Sequence, residues 1–190
     1  MAIAYHVVFG CYGFWLPNDP RGSWSKHVYS RQLQAFGEAT TVHTSDSVAH
    51  VPHDHAKRLA AKSALMYPAV RLSMRQVEAT ARGFAQASSE ADTRVYACAI
   101  MPDHVHLVIG ERGQDMDNLV GRFKSRATKQ LQAEEIHPLN GKHTPWARSY
   151  WKVYLDDDED VREAIEYVVN NPVRDGGARQ HWSFVISLGG

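Results

Sequence analysis

Residues 94–110 read RVYACAIMPDHVHLVIG, two β-branched and aromatic runs broken by Pro102 and Asp103. Runs of this kind form strands, and the proline and aspartate between them predict a compact hairpin or a strongly bent strand pair. Side chains alternate between the faces of a strand, so His104 and His106 point together while Val105 and Leu107 enter the opposite layer. Two strands in immediate succession, with helical patterns on either side, put this segment at the centre of an α+β fold.

Upstream, Ser73 and Gln76 have the spacing of a helix capping box, and Val77, Ala81 and Phe84 recur at helical intervals, giving a helix to about residue 88. Residues 2–10 (AIAYHVVFG) read as a first strand. Residues 11–24 (CYGFWLPNDPRGSW) set Gly, Pro, Asn and Asp between aromatics, the signature of an ordered, irregular loop. The stretch 25–72 is the least regular, with a weak helical pattern near 56–66, and reads as an insertion.

Downstream, a helix starting near Asp117 carries Leu119, Val120, Phe123, Ala127 and Leu131 inward and ends before Pro138. Residues 146–155 (WARSYWKVYL) read as a fourth strand. The acidic run 156–160 suits the positive end of a third helix dipole, and that helix is expected to end near Pro172. Without the insertion and the last helix, the order is a split βαβ, ferredoxin-like pattern: an antiparallel sheet with helices on one face. The expectation is a single domain over 1–190, with an insertion at about 25–72 and a C-terminal tyrosine-bearing helix.

Composition bounds the function. The 190 residues are 44% hydrophobic and 22% charged, ordinary for a folded protein, and Lys+Arg balance Asp+Glu at 21 each. A balanced chain has no global basic field, so any polyanion must meet a local patch. Two cysteines, Cys11 and Cys98, are too few for a disulfide framework or a zinc knuckle, and no window is apolar enough to span a bilayer. These features predict a cytoplasmic protein without a membrane partner.

Two segments carry chemistry. In the first, a strand aims His104 and His106 at one point, where two imidazoles suit a metal ion. His53 and His55 share that spacing, but in HVPHDHAKR a proline-broken polar context predicts no strand to aim them. Imidazoles suit Zn²⁺, oxygen ligands suit Mg²⁺ or Mn²⁺, and ligand type alone leaves the metal open. In the second segment, EAIEYVVNNPVRDGG (163–177), Val161, Ile165 and Val168 form the buried stripe, and Tyr167 lies about 100° to one side, toward a cleft. Asn171 follows four residues later, on nearly the same face if the helix persists.

MPDHVHLVI followed some sixty residues later by YVVNNPVRDG resembles the HUH transposases that use a single tyrosine, closest to the REP-associated tyrosine transposase branch. The likeness covers the first strand, the region from about 94 to 184, and the WLPNDPRGSW loop. It implies a ferredoxin-like nuclease in which His104, His106 and Asn171 hold Mg²⁺ or Mn²⁺ and Tyr167 is the nucleophile. A glutamine or carboxylate is more usual at the Asn171 position in the wider group, and Asp103 is a reserve ligand. It further implies cleavage and strand transfer on single-stranded or hairpin DNA through a 5′-phosphotyrosine, by a monomer or by a homodimer completing its sites in trans.

A free phenol ionises only near pH 10, so such a nucleophile needs activation or careful aiming. For the DNA, Arg122, Lys124, Arg126 and Lys129 on the second helix, with Arg148, Lys152 and Arg174, are candidates for the missing basic patch. Trp15, Arg21 and Trp24 are candidates for clamping a base or hairpin tip. The alternatives are a non-catalytic module binding repeat hairpins, which needs none of the histidine–tyrosine trio, and a metal hydrolase using water, which needs no tyrosine.

Overall fold

The computed structural model of the chain describes residues 2–17, 19, 28, 31–37 and 54–189. In chain order the elements are β1 (Ala4–Gly10), α1 (Arg31–Gln34), α2 (His55–Ser63), α3 (Met74–Glu90), β2 (Val95–Ile100), β3 (His104–Gly110), α4 (Met116–Ala133), β4 (Trp151–Leu155) and α5 (Asp158–Arg174). The four strands form one sheet in the order β2-β3-β1-β4, antiparallel at every junction, which is the ferredoxin-like arrangement.

Alternation along the strands builds two apolar layers. Val7, Phe9, Val105, Leu107 and Ile109 pack with Val77, Phe84, Leu119, Val120 and Phe123, so α3 and α4 cover one face. Ala4, Ala97, Ala99, Val108 and Leu155 meet Val161, Ala164 and Val168, so α5 covers the other. The histidines of β3 have the parity of Val108, on the α5 face. No helix among the described residues is long and apolar enough to cross a membrane.

The α3 capping box forms as its spacing predicts: Ser73 accepts from the Gln76 backbone N–H, and the Gln76 side chain accepts from the Ser73 N–H. β4, by contrast, starts at Trp151 rather than at 146. Trp146 is drawn into the core, 5.6 Å from Phe9 by ring centroid, and its indole N–H donates to Lys124 O and Thr128 Oγ1. The carbonyls of 147–149 accept from Lys124 Nζ. α5 continues through Pro172 to Arg174, although the proline gives up its bond to the Val168 carbonyl and crowds that oxygen. The end is then closed by Gly177 N–H donating to Pro172 O and Gly176 N–H to Val173 O, with Gly176 at φ +80.

Of the stretch 25–72, the described parts are residue 28, 31–37 with α1, and 54–72 with α2. Its last residues rejoin the core: Val70 N–H donates to Tyr12 O, Leu72 N–H donates to Pro102 O, and both side chains are buried.

α3 and α4 touch backbone to backbone at Gly83, where an added Cβ would lie 2.6 Å from Ala127 Cα. Alanine at an exposed helix site would stabilise by about 1 kcal/mol, but here it must push α4 away from α3, which overpacking data put at about 1–3 kcal/mol. Gly83→Ala is therefore expected to unfold at lower urea concentration than the parent. A midpoint equal to or above the parent's would show that the helices yield without cost.

Candidate active site

β3 aims His104 and His106 at the α5 face, and each ring is held by a different partner. Asp103 Oδ1 lies 2.8 Å from His104 Nδ1, and Asp103 Oδ2 accepts from Arg71 at 3.1 Å. The His104 ring also stacks on Phe14, 4.9 Å between centroids at 20°. These contacts leave His104 Nε2 as the nitrogen available to a ligand, the arrangement of a carboxylate-oriented metal histidine.

His106 is buried and faces a third imidazole. His6 on β1 shares its face, since Val8 is the residue opposite His106 and His6 is two positions further along. Their rings stack at 5.3 Å, with His6 Nε2 3.0 Å from His106 Nδ1. Burial pushes the His6 imidazole down to about 4. Burial first, then the neighbouring His104 and His6, hold His106 well below the usual histidine range. Both rings are neutral at physiological pH.

α5 completes the group. Tyr167 and Asn171 are one turn apart, so both reach the same side of the helix. The Tyr167 ring centroid is 5.7 Å from those of both His6 and His106. It is 39% exposed, so the phenol opens to solvent rather than into the core. Asn171 Nδ2 lies 3.1 Å from His106 Nε2. The Arg174 guanidinium sits 5.3 Å from the Tyr167 ring centroid. Trp151 on β4 closes another side, edge-on to His6 at 5.8 Å.

Among the described residues no three His, Cys, Asp or Glu side chains group so as to hold a metal. A cation held here would draw on the Asn171 amide as well as on the imidazoles. The donor chemistry fits: His104 Nε2 and His106 Nε2 carry the nitrogens, and rotating the Asn171 amide would exchange its nitrogen for its oxygen. Two imidazoles and one neutral amide also leave positions open for phosphate oxygens.

The basic candidates divide by face. Arg174 stands at the tyrosine, and the Trp15 ring leans on Phe14, which covers His104. Arg122, Lys124, Arg126 and Lys129 ride on α4, on the layer opposite the histidines. Arg126 and Arg122 pair with Glu90 at 2.8 and 3.6 Å. Lys124 is no free cation: its ammonium is spent on the carbonyls of Ala147, Arg148 and Ser149, and burial lowers it to about 8. Lys152 lies on the α4 side, near the Tyr5 and Tyr154 rings, and Arg148 is exposed beside the Lys124 anchor. Arg21, Trp24 and His53 lie outside the described residues, while His55 opens α2, exposed.

Sequence reading missed His6, Arg71, Phe14 and Trp151. The alternation AYHVVFG does mark His6 as sharing a face with Ala4 and Val8. Only strand pairing says that this is the face of His106.

Residues 71–171, just over half of the chain, match the family model described as IS200-like transposase. The chain belongs to that family. The matched span of this IS200-like transposase family member holds Asp103, His104, His106, Tyr167 and Asn171, and ends on the last of them. It is similar to a Haemophilus influenzae protein named as a REP-associated tyrosine transposase, 31% identical over 88 residues, covering 42% of this chain and 49% of that one. The chain thus spans about half the length of that curated relative. A solved structure of a REP-associated tyrosine transposase bound to a REP hairpin superposes with a TM-score of 0.51 at 13% identity, over 96% of this chain and 75% of that one. At that identity the likeness is one of fold.

Proposed function

We propose that this chain cleaves and rejoins single-stranded DNA at hairpin-bearing repeats, with Tyr167 as nucleophile and with His104, His106 and Asn171 holding Mg²⁺ or Mn²⁺. One observation carries the reading: a solvent-open phenol sits 5.7 Å, ring to ring, from a buried imidazole whose outer nitrogen faces an amide at 3.1 Å. Family membership supports transposase chemistry, and the names of the relatives supply the hairpin as the substrate class.

The step balances within the chain and one phosphodiester. The Tyr167 oxygen bonds to phosphorus and gives up its proton, the bond from phosphorus to the 3′ oxygen breaks, and that oxygen leaves as a 3′-hydroxyl. A 5′-phosphotyrosine retains the phosphodiester, so a 3′-hydroxyl can attack it and rejoin strands without an outside energy source. A bound divalent cation would neutralise the phosphate and make phosphorus more electrophilic. Asp103 and Arg71 hold the His104 ring, the α5 turn keeps Tyr167 and Asn171 in step, and Arg174 offers positive charge beside the phenol.

The test is incubation of the full chain with short hairpin-bearing single-stranded oligonucleotides and Mg²⁺ or Mn²⁺, followed by a denaturing gel. A protein–DNA adduct that disappears with EDTA is the expected result. Salt-sensitive hairpin binding with no adduct under either metal would leave a binding module in its place.

A further inference from the structure

The shorter of the two side-chain hydrogen-bond contacts of the buried His106 ring belongs to His6, which the chemistry above does not use. His6 Nε2 and His106 Nδ1 are 3.0 Å apart, and a single proton must lie between them. Both imidazoles are buried, and a neutral imidazole carries one N–H. If His6 donated, His106 would keep its proton on Nε2, donor against donor with the Asn171 amide nitrogen at 3.1 Å, and only an amide turned oxygen-inward would repair that contact. If His106 donates from Nδ1, its Nε2 carries a lone pair that accepts from Asn171, and every contact pairs a donor with an acceptor.

We infer that His6 is a positioning residue: it accepts the Nδ1 proton of His106 and so locks His106 in the tautomer whose Nε2 lone pair faces Asn171 beside Tyr167. The same lone pair is what a cation would take, so the functional consequence rests on the metal reading above, although the tautomer does not. His104 and His106 are thus oriented by unlike partners, a carboxylate for the first and a neutral ring for the second. The choice has an electrostatic sense. A carboxylate in place of His6 would fix the same tautomer, but it would add negative charge where a polyanionic phosphate has to arrive, in a buried setting that screens little.

Long-range ¹H–¹⁵N imidazole correlations on the metal-free full chain at pH 7.5 read the tautomers directly. The expected result is His106 protonated at Nδ1 and His6 bare at Nε2, and a His106 protonated at Nε2 overturns the inference. Calorimetric titration with Mn²⁺ gives a second readout. His6→Phe keeps the ring but accepts no proton, and should weaken Mn²⁺ binding by about 10- to 100-fold, the usual cost of losing an outer-shell partner. His6→Gln, whose amide oxygen accepts, should recover part of that loss. Parent-like Mn²⁺ affinity in His6→Phe counts against the assignment. A parent protein that takes up no Mn²⁺ sinks the metal reading instead, and the tautomer spectrum still decides the role of His6.

Discussion

Tyr167→Phe is expected to form no covalent adduct and to lose strand cleavage by at least about a thousand-fold, while folding and binding hairpin DNA like the parent. The substitution is unusually clean. The described contacts of Tyr167 are all made by its ring, with His6, His106 and Arg174, and its hydroxyl has no hydrogen-bond partner among the described residues. Phenylalanine keeps the ring and removes only the oxygen, so stability should stay within about 0.5 kcal/mol. Loss of cleavage with unchanged melting and unchanged Kd then assigns the chemistry to that oxygen. Undiminished cleavage would point to an activated water and remove the tyrosine mechanism.

Mild acid should destabilise the metal-free protein by several kcal/mol. His6 takes up its proton near 6.5 when unfolded but only near about 4 when folded, and His106 is displaced in the same direction. Between those values the unfolded chain binds more protons, so stability is full above 6.5 and falls with falling pH. Each such proton costs about 1.4 kcal/mol per pH unit, which for His6 alone comes to about 3 kcal/mol by pH 4. Glu111 and Glu134, held below the usual carboxylate range by hydrogen bonds, add their losses only below about 4.5. His137, lowered by burial, adds to the histidine window.

Urea unfolding at pH 7.5, 6.0 and 5.0 measures the slope. His6→Phe should flatten it by close to one proton's worth, about 1.4 kcal/mol per pH unit. A parent whose stability is the same at pH 7 and pH 5 would mean that these rings are solvated.

Much of this was legible locally. The alternation of HVHLVIG put both histidines on one face, the Ser73–Gln76 pair marked the start of α3, and Tyr167 with Asn171 followed from helical spacing. The continuation of α5 through Pro172, on which Asn171 depends, could not be read from spacing alone. It rests on the closure of the helix end by Gly176 and Gly177 and on the burial of Pro172. Lys124 looked like a surface cation because its helix position is a boundary one. A loop twenty residues away supplied the carbonyls that hold it.

The amino-acid sequence by itself determined what each element does relative to its own axis: which side chains share a face, where caps fall, and the strand and helix order that yields a ferredoxin-like sheet. Only the tertiary structure decided which faces meet. It brought His6 against His106, joined Arg71 through Asp103 to His104, set α5 rather than α4 over the histidines, and left the α4 cations on the far layer. The reason is physical. Periodicity is a property of one backbone segment, whereas strand register and the side of the sheet a helix covers are settled by burial between segments far apart in the chain.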